Sequence, residues 1–378
     1  MLYKKWAALC LASVIWCVCL VMPCAAETAV SSRSAIVMDA TTGEVLIEKD
    51  AHTPRAMAST TKLMTALLAA ERLDWDATIT VPAGAVPVEG TSLYLAAGDR
   101  LTVADLVTGL LLASGNDAAN VIAFLVSGSL SAFADEMNRR AAAIGMTNSL
   151  FVTPSGLDEG DHHSTAYDMA LLAGEVLKNE RLAAVCRQTQ ATIAINSVET
   201  TVVNHNKLLK LYDACIGMKN GYTKKSGRCL VSAAQQGHAT LICVTLNGGD
   251  YWNDHIALYE AGFAQMTDCH LTVPSLPNVA VSGGERERLS LTATAPTVSV
   301  PADAVSAITA RVIVPRFVWA PIAADTPVGR VVWEYNGQPI AEAPLLTAAG
   351  TGARPVAETP TRIWRLFIAC LRALLSEP

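Results

Sequence analysis

Ala58-Ser59-Thr60-Thr61-Lys62-Leu63-Met64-Thr65-Ala66-Leu67-Leu68-Ala69-Ala70 is the stretch from which the rest of the chain can be read. Leu63 to Ala70 is rich in Ala and Leu, holds no Gly or Pro and ends near Glu71-Arg72, which predicts a mostly buried helix. Ser59 and Lys62 stand three apart, so a helix brings hydroxyl and amine to one face at its N-terminus. A lysine held neutral can take the serine proton, and the free N–H groups of a first turn stabilise developing negative charge. The plain alternative is a serine that only caps a helix, since Ser-x-x-Lys arises by chance roughly once in a chain of this length. The rest of the chain decides between the two.

With 378 residues the chain has room for two domains, and 51% apolar against 16% charged residues predicts a folded chain. A net charge of −6 argues against nucleic acid as a partner. Lys4 and Lys5 precede an apolar run from Trp6 to Met22. Pro23-Cys24-Ala25-Ala26 then offers the small residues that a signal peptidase needs, so residues 1–26 read as an export signal cleaved after Ala26. A retained membrane helix is the alternative. A lipid anchor on Cys24 has a poor lead-in at Val21-Met22-Pro23. Cys186, Cys215, Cys229, Cys243, Cys269 and Cys370 lie beyond the signal and form neither a disulfide framework nor a metal pattern. His162-His163 reads as a pair in a loop, no histidine has zinc-ligand spacing, and no metal or cofactor is expected.

Ser34 to Ala40 and Glu44 to Glu48 read as strands joined at Thr41-Thr42-Gly43. A helical region follows. Thr102 caps a helix with Asp105 three residues on, and that helix breaks at Ser114-Gly115-Asn116, placing Ser114 and Asn116 on a rigid corner before a second helix. Asp117 there reads as serving the helix N-terminus. Ser131 to Ile144 and Thr165 to Leu177 are further helices, with Thr153 to Gly156 a loop between them. From about 191 the pattern turns to β, with strands at 192–195, 201–203, 228–232 and 240–245, and a closing helix from Asn253 to Met266. Strands from both ends of residues 27–270 must meet in one sheet to bury their apolar faces, with the helical block beside it. Residues 271–348 read as a small all-β domain and 349–360 as linker. Residues 361–378 hold a helix on which Arg362, Arg365 and Arg372 fall within about 80° of arc, with the apolar side chains largely outside it. Its longest uncharged run is too short to span a bilayer, so an in-plane anchor on a membrane surface is expected. Packing on the β domain is the alternative.

A third polar group stands at Lys219-Asn220-Gly221-Tyr222-Thr223. A lysine on or near an edge strand, beside a glycine that allows close approach, can bind a carboxylate. Ser59-x-x-Lys62, Ser114-Gly115-Asn116 and Lys219-Asn220-Gly221, in that order, resemble the three motifs of active-site-serine penicillin-binding proteins. The flanks Leu112 to Ala119, Asn206 to Leu209 and Gly227 to Val231 make the chain similar to the low-molecular-mass D-alanyl-D-alanine carboxypeptidases over residues 30–345. The resemblance implies an α+β (α/β) serine β-lactamase/transpeptidase-like domain, with a mostly antiparallel sheet and a helical block, followed by a C-terminal β domain.

By resemblance, Ser59 attacks the penultimate D-alanine carbonyl of a peptidoglycan stem peptide and Lys62 takes its proton. The backbone N–H groups of Ser59 and Tyr222 hold the oxyanion. Ser114 relays a proton to the leaving amine, Asn116 holds the substrate amide, and Lys219, Asn220 and Thr223 face the terminal carboxylate, with Gly221 between them. β-Lactams are the implied covalent inhibitors, and the location is the outer face of the cytoplasmic membrane. Asn220 departs from the family, which has Thr there. Two rival readings remain: a serine β-lactamase, which needs a dedicated glutamate for deacylation, and a catalytically silent cell-wall-binding protein.

Overall fold

The computed structural model describes residues 29–86, 88–355 and 361–374. The export signal therefore lies outside the described residues, as do residues 356–360 of the linker and the last four residues of the tail. The chain divides into one unit ending at Gln265 and a second that runs from Met266 and includes Gly237–Ala239.

In the first unit a five-stranded sheet has the order β2-β1-β9-β8-β7. β1 (Ser34–Asp39) and β2 (Val45–Lys49) come from the start of the described chain; β7 (Cys215–Thr223), β8 (Gly227–Gln236) and β9 (Ala239–Gly248) come from the other end. β1 and β9 pair antiparallel from Ser34↔Leu246 to Asp39↔Leu241, which is the meeting of the two ends expected from the sequence. The β1–β2 turn forms because the Asp39 carboxylate accepts from the N–H groups of Thr41 and Thr42 and from the Thr42 hydroxyl. Helix Tyr251–Phe263 packs by Gly262 on Val37 and Leu241, and helix Ala166–Lys178 packs by Gly174 on Ile242. Neighbouring residues of a strand point to opposite faces, so the two helices cover opposite sides of the sheet and every β1 residue is buried.

The helical block is built on α1 (Lys62–Arg72), whose Leu63, Met64, Leu67 and Leu68 are buried. α2 (Val103–Leu112) and α3 (Asn116–Ser127) pack against it. The Thr102 hydroxyl caps α2 by accepting from Asp105 N–H at 3.0 Å, as the sequence predicts. Among the described residues, strands β5 (Gln190–Ile195) and β6 (Val198–Val203) pair only with each other. A further small pair, β3 (Thr78–Thr80) with β4 (Arg100–Thr102), was not evident from the sequence.

Two expectations are corrected. Ser59 is not in the first α-turn: Ala58–Thr61 is a 3-10 turn and the α-helix starts at Lys62. The closing helix ends at Phe263, and Met266–His270 is instead a strand paired with Thr297–Pro301 in the second unit. The division thus falls at 265/266 rather than at 270/271.

The second unit is built of short sheets. Four strands, Leu291–Thr292, Gln338–Thr347, Pro327–Tyr335 and Thr309–Ile313, form the largest. Trp333, Val331, Leu345 and Val300 fill its core, and the Trp333 indole donates to Thr272 O at 3.0 Å. A helix spans Thr361–Leu374.

Candidate active site

The 3-10 turn places the first motif. At three residues per turn, side chains at i and i+3 eclipse one another. Ser59 is half-buried and Lys62 has no exposed surface, and Lys62 Nζ lies 2.9 Å from Ser59 Oγ. Ala58, just before the serine, has φ +48°, a left-handed conformation that costs a non-glycine residue about 1–2 kcal/mol. Two glycines pack against this turn. A Cβ on Gly156 would stand 1.9 Å from Ala58 O, and one on Gly221 would stand 2.7 Å from Ser59 N. Both positions require glycine, the first also because its φ is +83°.

Lys62 Nζ has two further partners, Asn116 Oδ1 at 2.7 Å and Ser155 O at 2.7 Å. Burial pushes the Lys62 amine well below the usual lysine range, and the Lys219 charge pushes it the same way, against Asp117. The other amide end of Asn116 donates to Glu89 O at 2.7 Å, so both ends of this side chain already have protein partners. Ser114 is buried at φ +61° on the corner before α3. Among the described residues no hydrogen bond joins it to Ser59 or Lys62. Asp117 does more than serve its helix: its carboxylate accepts from Leu93 N, Leu95 N and the Ser92 hydroxyl, which fixes the segment facing Asn116.

The third motif lies on β7, an edge of the sheet. Lys219 is 1% exposed, and burial lowers its amine to about 7. It donates to Asn220 O at 2.9 Å and to Asn220 Oδ1 at 3.3 Å. Asn220 also adjoins Tyr251: burial raises the Tyr251 phenol, and the Asn220 amide offsets part of that rise. Tyr222 is exposed. The Thr223 hydroxyl bonds Ser226 at 2.9 Å and accepts from Ser226 N–H, so it serves the β7–β8 turn, and among the described residues no hydrogen bond ties it to the Lys219 group.

The loop 153–156 has a part that the sequence did not reveal. Besides Ser155 O on Lys62, Pro154 O accepts from the Thr65 hydroxyl at 2.6 Å. Thr-Pro-Ser-Gly announces a turn and nothing more, because a carbonyl that any residue could supply leaves no mark on side-chain identity. His162, read as a loop residue, is buried and bonds Thr61. Among the described residues no cluster of His, Cys, Asp and Glu could hold a metal ion.

The family model "D-alanyl-D-alanine carboxypeptidase" matches residues 22–250, and "Penicillin-binding protein 5, C-terminal domain" matches residues 275–350. The D-alanyl-D-alanine carboxypeptidase DacF of Bacillus subtilis is 30% identical over 332 residues, covering 84% of this chain and 85% of its own. DacC of Escherichia coli is 31% identical, covering 84% and 83%. The crystal structure of DacD from Francisella tularensis superposes with a TM-score of 0.60 at 26% identity, over 87% of this chain and 95% of that one.

Proposed function

This chain belongs to the D-alanyl-D-alanine carboxypeptidase family, and from that membership we propose how its own residues remove the terminal D-alanine from peptidoglycan stem peptides. The observation that carries the reading is the surroundings of Lys62 Nζ. Two of its three partners, Asn116 Oδ1 and Ser155 O, are carbonyl oxygens that only accept. A neutral amine has two hydrogens and one lone pair. The carbonyls take the hydrogens, and the lone pair is left for the Ser59 O–H. Burial keeps the amine in that neutral form.

Ser59 Oγ then attacks the penultimate D-alanine carbonyl as its proton passes to Lys62. The oxyanion is held by the N–H groups of Ser59 and Tyr222, which the contact of Gly221 with the Ser59 amide brings near each other. The proton reaches the leaving amine by way of Ser114, D-alanine departs, and water releases the acyl-enzyme. Lys219 binds the terminal carboxylate, with Asn220 beside it. Asn116 positions Lys62 and presents its second amide hydrogen to the substrate. The scheme uses no metal or cofactor. A β-lactam follows the same path as far as the acyl-enzyme. Membership of the carboxypeptidase family favours this reading over the β-lactamase one.

The protein is exported by residues 1–26 and lies against the outer face of the cytoplasmic membrane by residues 361–378. No single described helix is long and apolar enough to cross a membrane. Trp364, Phe367, Ile368 and Leu371 are all exposed, which supports an apolar face available to lipid.

The test is intact mass after incubation with benzylpenicillin, followed by peptide mapping. One adduct is expected, on Ser59. Ser59→Ala should lose both the adduct and D-alanine release, and an adduct on another serine would overturn the assignment. Failure of the unmodified protein to acylate would favour a silent wall-binding protein.

A further inference from the structure

Residues 151–162 form a loop closed at its base. Leu150 and His163 exchange backbone hydrogen bonds at 2.9 and 3.1 Å, and Ser164 does the same with Arg55 on the segment leading to Ser59. Inside the loop the Thr153 hydroxyl accepts from Gly156 N at 3.1 Å and bonds Leu157 O at 3.2 Å. The His162 ring, 4% exposed, lies across this loop and the catalytic turn. Its Nδ1 accepts from Val152 N–H at 2.9 Å and more weakly from Thr153 N–H at 3.4 Å. A ring nitrogen that accepts from backbone N–H carries no proton, so the hydrogen sits on Nε2 and is donated to Thr61 Oγ1 at 2.8 Å. Thr61 lies between Ser59 and the α-helix that begins at Lys62.

We propose that His162 is a positioning residue for acyl transfer: its neutral Nε2–H ring pins the 152–156 loop to the Ser59 turn and so holds Ser155 O on Lys62 Nζ. Without that carbonyl, one amine hydrogen has no fixed acceptor, and the lone pair is no longer directed at Ser59 Oγ. Among the described residues the hydrogen bonds of the ring run to Thr61, Val152 and Thr153 and none runs to Lys219 or Asn220, so it acts on the chemical step and not on carboxylate binding. Burial keeps the imidazole neutral with its pKa at about 4, against Asp158, which favours the charged form; His163 and Lys225 oppose it. The inference rests on Ser59 and Lys62 being nucleophile and base.

The test is saturation kinetics of benzylpenicillin acylation, which separates the affinity of the non-covalent complex from the acylation rate constant. His162→Phe keeps a ring in the space but makes neither hydrogen bond. Its acylation constant should fall roughly ten- to a hundredfold, the scale of a small misplacement of reacting groups, with non-covalent affinity within about twofold. His162→Asn, which can still accept from Val152 N–H, should recover part of the loss. Thr61→Val removes the link from its other end, and the double variant should be no slower than the slower single one. Wild-type rates in His162→Phe, an Asn variant no faster than the Phe variant, or additive losses would each overturn the proposal. Wild-type protein labelled elsewhere than Ser59 would instead defeat the assignment of the nucleophile. Long-range 1H–15N spectra give an independent reading: His162 should show the Nε2–H tautomer from pH 8 to 5, and the opposite tautomer or an imidazolium counts against it.

Discussion

Ser59, Lys62 and Lys219 are the residues at which chemistry and folding oppose each other. Two lysines are buried, and burial lowers both amines, yet they need opposite charge states. Lys62 works as the neutral base, so activity is lost as pH falls and it takes up a proton. Lys219 must be charged to bind a carboxylate, and its amine in the free enzyme titrates at about 7. kcat/KM for a free-carboxylate peptide should therefore fall as pH rises through about 7, while a substrate with an amidated terminus should show no such limb. A flat alkaline profile for the free acid would mean that Lys219 stays protonated or does not bind the carboxylate. Asn220 adds to this. Its side-chain carbonyl accepts from Lys219 Nζ, the same ammonium that the substrate needs. Asn220→Thr should release that hydrogen and raise the acylation rate with benzylpenicillin roughly ten- to a hundredfold, the worth of one charge-assisted hydrogen bond. Equal rates in a side-by-side measurement would show that the amide replaces the hydroxyl without cost.

At the scale of elements, the site is a seam between an edge strand and a 3-10 turn. Burial of Leu63, Met64, Leu67 and Leu68 fixes α1, each side chain contributing about 1.5–3 kcal/mol. That rigid helix offsets the cost of burying Lys62 at its start. β7 approaches the turn as closely as it does because Gly221 has no side chain. In Gly221→Ala the new Cβ would meet the Ser59 amide at 2.7 Å, so strand and turn must separate. The variant should fold, because the rest of β7 stays paired with β8, but acylate about a hundred to a thousand times more slowly, the range for loss of an oxyanion donor. Near-native acylation in this variant, with its fold verified by circular dichroism, would remove Tyr222 from the proposed oxyanion site.

Over the whole molecule, the chain joins an acyl-transfer unit, a β unit and a terminal helix whose described apolar side chains face outward. Deleting residues 351–378 from the mature protein should abolish its binding to anionic vesicles while leaving activity on a soluble peptide within about twofold. Vesicle binding that survives the deletion would place the membrane contact elsewhere. The sequence by itself determined the helix after Ser59, the cap at Thr102, the corner at Ser114 to Asn116 and the joining of early and late strands in one sheet, whereas the edge position of Lys219 came from the sheet order. Each of the first four is set by local spacing, capping chemistry or an alternating apolar pattern, all of which are written in residue identity. Only the tertiary structure decided that Ser59 sits on a 3-10 turn, that Ser155 O and Asn116 Oδ1 surround Lys62, that Thr223 serves a turn and that His162 bridges loop and turn. Backbone carbonyls are the same in every residue, and a buried imidazole takes its tautomer from partners distant in the chain. Such contacts leave no pattern in the sequence and exist only once the chain has closed on itself.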